Sequence, residues 1–230
     1  MNHTKIFAAL IIAATAALAP ALTVAQPDSA PPVVDKDGYT ALFNGKDLTG
    51  WKASRPDAWK VEDGVLAWQK GAGDLWTEKR YGDFVLELDF KVDKGTNSGV
   101  FIRTDSTKEW LNTGMEFQVL DSAAKQVPDK HDTGALYDVQ APAKNTMKPA
   151  GEWNHYKITA KGPKLTVELN GEVVNEIDLD KWTEAGKNPD GTPNKFKYAY
   201  KDMKREGYIG LQDHGGAVWY RNIRLKELKD

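Results

Sequence analysis

The sequence predicts an all-β fold, a sandwich of two antiparallel sheets, and three observations predict it. Apolar and polar residues alternate with a period of two in the runs Phe84–Phe90, Met115–Val119, Tyr156–Ala160 and Leu165–Leu169, as expected for strands with one face in a core. Turn-forming pairs such as Asn170-Gly171 separate these runs. No long amphipathic helical pattern interrupts them, and many short strands without crossover helices favour a sandwich or jelly roll.

The same alternation assigns a buried face to each strand. In the first run the phenylalanines and leucines share the predicted core face, and Glu87 and Asp89 take the surface face. The segment Lys164–Val174 predicts a hairpin, because Asn170-Gly171 suits a type I′ turn. Residues 182–205 predict an irregular insert, part of it a short helix.

The N-terminus is typical of a secretory signal peptide. Lys5 lies in a short polar start, and the apolar run Ile6–Leu18 is shorter than the roughly 20 residues that span a bilayer. Small residues before Gln26 predict cleavage after Ala25. The predicted organisation is a signal peptide at 1–25, a disordered lead-in at 26–38 and one domain at 39–230. Because the chain has no cysteine to carry a lipid, we expect export to a bacterial periplasm or medium without a membrane anchor.

The charge balance excludes some partners. The chain has 31 Lys and Arg against 33 Asp and Glu, for a net charge of −2. A near-neutral, mixed-charge surface gives no electrostatic support for binding nucleic acid or anionic membranes. No pattern predicts a protein partner or an oligomeric state.

Several polar residues fall on outward strand phases. If Met115, Phe117 and Val119 are core, Glu116 and Gln118 project to the opposite face. The same phase argument turns Gln212 and His214 outward from the predicted strand 207–215, and Arg103 outward from the strand before Glu116. If these strands are neighbours, their outward faces form a polar groove. Ordinary solvation is the alternative, but Glu and Gln are poor strand formers in mid-strand positions.

Histidine narrows the candidates for proton transfer near neutral pH. His131 lies in a predicted loop, His155 begins a strand where a structural role is favoured, and His214 ends a glycine-flanked strand. A metal site from His131, His214, Glu116 and Asp121 stays open, although no HxH or HxxxH spacing supports it. Nucleophile-elbow, Walker and HExxH motifs do not occur.

An ordered set of motifs carries a family resemblance. The motifs are Leu42–Trp51 (LFNGKDLTGW), Asn97–Arg103 (NSGVFIR), Gly114–Asp121 (GMEFQVLD), Thr133–Tyr137 (TGALY), Gly151–Asn154 (GEWN), Leu169–Gly171 (LNG), Gly207–Gly215 (GYIGLQDHG) and Arg221–Ile223 (RNI). In this order the chain resembles the 3-keto-disaccharide hydrolase family, also called domain of unknown function 1080. The resemblance covers about Tyr39 to Leu228. It implies a concanavalin-like, laminarinase-like jelly roll that cleaves glycosides oxidised to a ketone at sugar C3.

That resemblance implies a small carbohydrate substrate and a set of roles. A base, His214 or His131, removes the C2 proton that the ketone acidifies, and Glu116 is the partner acid or the group that orients the base. Arg103 and Gln118 hold the oxyanion or the sugar hydroxyls. Further substrate contacts are expected from Gln212, Asp121 and Tyr137, and a divalent cation in the oxyanion role stays open. Water added to the enone completes a hydrolysis, whereas release before hydration makes the enzyme a lyase.

Two other classes of protein compete with this interpretation. A non-catalytic carbohydrate-binding module is expected to show a flat row of exposed tryptophans, and Trp76 and Trp110 are candidates for sugar stacking as well as for core positions. A structural partner in an exported complex is expected to expose an extended apolar patch instead. Fold alone does not decide among them.

Overall fold

The computed structural model describes Met1 and residues 34–229, and this part of the chain is almost entirely β-structure. Its strands are β1 (Thr40–Ala41), β2 (Trp51–Ala53), β3 (Trp59–Glu62), β4 (Val65–Trp68), β5 (Leu75–Thr77), β6 (Phe84–Val92), β7 (Asn97–Thr104), β8 (Met115–Leu120), β9 (Asn154–Lys161), β10 (Lys164–Leu169), β11 (Glu172–Asp178), β12 (Tyr208–Leu211) and β13 (Val218–Glu227). One short α-helix, α1 (Trp110–Thr113), precedes β8.

Two antiparallel sheets form the sandwich, which confirms the predicted fold class. The first sheet has the order β11-β10-β9-β6-β13-β4-β3, with β1 also paired to β13. The second has the order β2-β5-β12-β7-β8, so that β7 lies between β12 and β8. Both sheets belong to one compact unit, residues 32–230.

The alternation in the sequence predicts the core correctly. The phenylalanines and leucines of β6 are fully buried, as are Met115, Phe117 and Val119 of β8 and Ile209 and Leu211 of β12. These apolar faces pack together between the two sheets, and burying apolar surface stabilises the fold by roughly 25 cal/mol per Å². Because side chains alternate between the two faces of a strand, the residues between these apolar positions point away from the core.

Turns and the insert also follow the predictions. Asn170 and Gly171 have φ values of 54° and 84° and join β10 to β11, as a type I′ turn requires. The insert 182–205 is irregular and contains a 3-10 helix at Tyr200–Asp202, with another at Leu179–Lys181 just before it. Glu87 and Asp89 lie on the outer face of the first sheet, where Arg224 and His155 respectively pair with them.

The predicted signal peptide and most of the lead-in lie outside the described residues. Of the lead-in, Val34 forms a bridge with Thr40, and Asp35 caps a turn by accepting hydrogen bonds from the backbone N–H groups of Asp37 and Tyr39. Among the described residues no helix is long and apolar enough to cross a membrane.

Export stays a prediction with a direct check. We expect the protein from a periplasmic or culture fraction to begin at Gln26, because small residues precede the predicted cleavage site. N-terminal sequencing or intact mass measurement reads this out. A full-length chain recovered from the cytoplasm would contradict it.

Candidate active site

Three neighbouring strands bring the predicted polar residues onto one surface. Gln118 of β8 pairs with Gly99 of β7, and the backbone N–H of Gln212 donates to the carbonyl of Gly99 at 2.9 Å. Gln118, Gly99 and Gln212, which directly follows β12, therefore form one row on the face that points away from the core. We call this surface the outer face of the second sheet.

Glu116 lies at the centre of that face. It pairs with Phe101 of β7, and its side chain leans over Gly99, where the Cβ of any larger residue would overlap the carboxyl group. Glu116 is 9% exposed. Burial raises the pKa of Glu116 to about 8, while the charge of Lys195 and a hydrogen bond from Gln212 act in the opposite direction. The carboxyl is thus largely protonated at neutral pH, as a general acid or hydrogen-bond donor requires.

Unpaired amide oxygens surround this carboxyl group. Gln118 and Gln212 are 2% and 5% exposed, yet the Oε1 atoms of both, and Oδ1 of Asn97, are buried without a hydrogen-bond partner among the described residues. The Gln118 Nε2 donates to the carbonyl of His131 at 3.0 Å, which determines which way its amide points. Buried polar atoms are normally paired, so these oxygens mark a place for a ligand or water.

Aromatic side chains border the acid on the same face. Trp76 of β5 stacks on Phe101 with ring centroids 5.1 Å apart and an interplanar angle of 16°, and Phe101 contacts Trp110 at 4.8 Å. Gly210 makes room for the Trp76 indole, which a Cβ at that position would overlap. Trp110, Glu116 and Phe196 line a small cavity. Aromatic faces next to polar groups suit sugar rings.

The opposite border combines Tyr137 with the insert. The backbone N–H of Tyr137 donates to the carbonyl of Glu116 at 2.9 Å, so Tyr137 lies directly beside the acid. The Lys195 ammonium sits 4.1 Å from the centroid of the Tyr137 ring. Lys195 is held by its backbone N–H, which donates to Oδ2 of Asp138 at 2.9 Å. The insert thereby delivers a positive charge to the outer face.

His131 lies at the edge of the site and is engaged by carboxylates. Its ring contacts Tyr137 edge-on with centroids 5.2 Å apart. Nε2 is 3.2 Å from Oδ1 of Asp138 and Nδ1 is 3.4 Å from Oδ1 of Asp129. Both ring nitrogens therefore face carboxylates, while the His131 carbonyl orients Gln118.

His214 lies at the rim, beside a second perturbed carboxyl. The strand β12 ends at Leu211, earlier than the predicted 207–215, and His214 is exposed in the loop that follows. Burial raises the pKa of Asp74, while a hydrogen bond from the Asp213 backbone N–H at 2.9 Å and the charge of His214 oppose that rise. Asp213 anchors this loop by accepting hydrogen bonds from the Trp68 indole at 2.6 Å and the Gly73 N–H at 2.8 Å.

Arg103 is not part of this site, and its predicted outward orientation is wrong. A bulge in β7 shifts the pairing with β12 between Tyr208 and Gly210, and Arg103 adopts a φ of 48°. A bulge inserts one residue and re-aims the side chains around it. The guanidinium group is fully buried and donates to the carbonyls of Gly82 and Gly162 and to Asp83 at 2.7–3.0 Å. It ties β7 to loops of the first sheet.

Asp121 also has a structural position. It follows the end of β8, and its Oδ2 accepts a hydrogen bond from the Gly95 N–H at 2.9 Å in the turn between β6 and β7. The predicted substrate contact by Asp121 has no support from this position. Among the described residues, no group of three or more His, Asp or Glu side chains is arranged to hold a metal ion, so the candidate set with His131, His214, Glu116 and Asp121 does not come together.

The structure adds residues that sequence reasoning missed. Asn97 could have been found, because the alternation that turns Phe101 outward turns Asn97 outward as well. Asp74 immediately precedes β5 and could have been found in the same way. Lys195 and Asp138 carried no signal, since neither lies in a periodic segment.

Two larger grooves lie elsewhere on the molecule. One of about 720 Å³ is lined by residues 34–42, 77–81 and 225–229 in part, and another of about 810 Å³ lies between residues 128–141 and the insert. Neither contains Glu116 or Asp74, the two carboxyl groups of the described chain whose pKa values lie above the usual range, in both cases mainly through burial. The two carboxyl groups with raised pKa values therefore favour the outer face of the second sheet as the active site, although the two grooves are larger.

The relatives of this jelly-roll sandwich indicate a glycoside-processing class of protein. The chain belongs to the 3-keto-alpha-glucoside-1,2-lyase-like domain family, which matches residues 38–226. A 3-keto-disaccharide hydrolase of Bacteroides thetaiotaomicron is 33% identical, over 90% of this chain and 84% of that protein.

Solved structures agree with this placement. A protein of Parabacteroides distasonis described as a candidate glycosyl hydrolase superposes with a TM-score of 0.76 at 36% identity, covering 83% of this chain and 99% of that one. A Bacillus subtilis protein with a galectin-like fold gives a TM-score of 0.52 at 11% identity, over 82% of this chain and 94% of that one, and supports the fold alone.

Proposed function

We propose that this protein is an exported glycoside-processing enzyme that cleaves 3-keto-glycosides, including 3-keto-disaccharides, by elimination and hydration. The observation that carries the proposal is Glu116, a nearly buried carboxyl group whose pKa is raised to about 8. An acid kept neutral at physiological pH is what a reaction through an oxyanion requires. The names of the relatives support the same substrate class.

The proposed reaction begins at the carbon next to the ketone. His214 removes the C2 proton, because it is exposed at the rim and no carboxylate engages its ring nitrogens among the described residues, unlike those of His131. The electron pair of the C2–H bond moves into a C2–C3 double bond and places negative charge on the C3 oxygen. Glu116 donates a hydrogen bond to that oxygen. Lys195 supplies the positive charge that stabilises it, a role that the sequence analysis predicts for Arg103.

The intermediate then loses its leaving group. The C3 carbonyl re-forms, a C1–C2 double bond forms, and the C1–O bond breaks, with the departing oxygen taking up the proton that His214 removed from C2. Addition of water, with hydroxyl at C1 and hydrogen at C2, gives the 3-keto sugar and completes a net hydrolysis. Release of the enone before hydration gives the lyase outcome instead.

Features of the surface support an enzyme over the two competing classes. Trp76 is 8% exposed and stacks on Phe101. No tryptophan within residues 34–229 is fully exposed, unlike the flat exposed tryptophan row expected of a binding module. Within residues 34–229, large exposed apolar residues occur singly at Val34, Val127, Val173 and Tyr198. They make no contiguous patch of the kind that marks a structural partner.

Product analysis tests the proposal directly. We expect the protein to release the aglycone from a 3-keto-glucoside and to leave the corresponding unoxidised glucoside intact, because only the ketone acidifies the C2 proton. Mass spectrometry and NMR of the products, in deuterated water, distinguish the hydrated sugar from the enone and report deuterium at C2. Parallel reactions with a chelator measure any metal requirement. Equal cleavage of both substrates would overturn the mechanism.

A further inference from the structure

Two glutamines of the site present acceptors that the protein leaves unused. Gln118 and Gln212 are almost fully buried, and the Oε1 atom of each has no hydrogen-bond partner among the described residues. The Gln118 amide is not free to turn, because its Nε2 donates to the His131 carbonyl. The Gln212 amide lies close enough to the Glu116 carboxyl group to lower the pKa of that group.

The two glutamines lie on either side of Gly99 and the Glu116 carboxyl group. Their strands are separated by β7, so their backbones are roughly 10 Å apart, two inter-strand spacings. Between them stands Gly99, which has no side chain, and the Glu116 carboxyl group leans over it. Two acceptor oxygens therefore flank a carboxyl group that carries its own proton.

The order of these groups, with an acceptor on each side of a protonated acid, determines which hydrogen-bonding groups a ligand should carry. A buried acceptor without a donor is unfavourable, so a ligand that offers two donors here, one to each glutamine, gains most in binding. Between those donors it must offer an acceptor to the Glu116 proton. A sugar oxidised at C3 has this pattern, since its C2 and C4 hydroxyls flank the C3 carbonyl oxygen.

We propose that Gln118 and Gln212 accept hydrogen bonds from the C2 and C4 hydroxyls of the substrate and so determine that the ketone is read at C3. This inference rests on the proposed function and deepens it. A ketone at C2 or C4 would direct a carbonyl oxygen at a glutamine oxygen, acceptor against acceptor, and would leave Glu116 facing a hydroxyl. The two glutamines are positioning residues for the ketone as well as specificity determinants.

Substrate analogues combined with variants test the pairing. For wild type we expect kcat/KM on a 4-deoxy-3-keto-glucoside to fall by at least about 30-fold relative to the parent. The 4-deoxy-4-fluoro analogue should fall comparably, because fluorine cannot donate. One of the two variants, Gln118→Met or Gln212→Met, removes the partner of the C4 hydroxyl. In that variant kcat/KM on the parent substrate should fall by a similar factor, and kcat/KM on the 4-deoxy analogue should fall little further than in wild type. In the other variant the loss caused by the substitution and the loss caused by the analogue should add.

Each outcome decides the proposal. Gln126→Met, an exposed glutamine outside the site, controls for the substitution and should leave all ratios unchanged. Fully additive losses in both variants, or normal turnover of the fluoro analogue, would overturn the pairing while leaving the proposed function intact. A wild-type protein that cleaves no 3-keto-glycoside would remove both. A third outcome would overturn the pairing as well: a chelator abolishes wild-type activity, Mn²⁺ restores it, and the activity of a glutamine variant does not depend on Mn²⁺. The two glutamine oxygens would then be ligands of a cation.

Discussion

Glu116→Gln is expected to reduce kcat on a 3-keto-glucoside by about 10²- to 10³-fold, the range for loss of one donor to an oxyanion. Glutamine keeps the shape of the side chain over Gly99, but its amide is a much weaker acid than a carboxyl group and stabilises the C3 oxyanion less. Steady-state kinetics of the purified variant measures the loss. Wild-type turnover in Glu116→Gln would remove this residue from the mechanism.

The same substitution should make the protein more stable near neutral pH. Burial raises the pKa of Glu116 from 4.5 to about 8, so the folded state holds the proton across that interval while the unfolded state releases it. The stability that Glu116 contributes is therefore complete below pH 4.5 and is lost progressively as pH rises through about 8. At pH 7 the penalty is about 3 kcal/mol, by the conversion of 1.36 kcal/mol per pKa unit.

Urea unfolding of both proteins at several pH values reads out this difference. The gain in stability of Glu116→Gln over wild type should be small at pH 5 and should grow toward pH 8. Activity of wild type should decline over the same upper range, because the acid is then ionised. A difference in stability that does not depend on pH would contradict the raised pKa.

Two histidine variants provide a matched comparison for the catalytic loss. His214→Ala should lower kcat by about 10²-fold or more if His214 is the base. His155→Ala is the control, since His155 pairs with Asp89 at 2.8 Å on the outer face of the first sheet, far in the fold from Glu116. Equal effects of the two substitutions would show that the loss in His214→Ala is not catalytic.

Arg103→Met is expected to lower the free energy of unfolding by about 3 kcal/mol or more without changing kcat per folded molecule. Removing one partner of a buried ion pair typically costs 3–5 kcal/mol, and here the carbonyls of Gly82 and Gly162 lose their donor along with Asp83. Burial lowers the pKa of Arg103 to about 10, with Asp83 opposing that effect. The group therefore stays charged at neutral pH and depends on these partners.

Denaturant unfolding and kinetics on the same preparations separate stability from catalysis. Arg103→Lys keeps the charge but not the fork of three donors, and should fall between wild type and Arg103→Met. It also serves if the methionine variant does not fold. A stable Arg103→Met with strongly reduced kcat/KM would return Arg103 to the substrate site.

Strand phase explains why some of the site could be predicted and some could not. Glu116, Gln118 and Gln212 were predicted on an outward face because regular alternation leaves one position for each side chain. The prediction for Arg103 was wrong because a bulge in β7 breaks that alternation. The local residue pattern gives no signal of the bulge. Lys195 was missed because its position depends on contacts between the insert, Tyr137 and Asp138, which are distant in sequence.

The sequence by itself determined the strands, their buried faces and the turn at Asn170-Gly171, since these depend on hydrophobic periodicity and on backbone preferences of neighbouring residues. The tertiary structure alone decided that β8, β7 and β12 are adjacent, that Gly99 leaves room for the Glu116 carboxyl group, and that two glutamine oxygens stay unpaired beside it. Adjacency of strands, and the desolvation that raises the pKa of Glu116, arise from packing between segments far apart in the chain. No local pattern of residues encodes them.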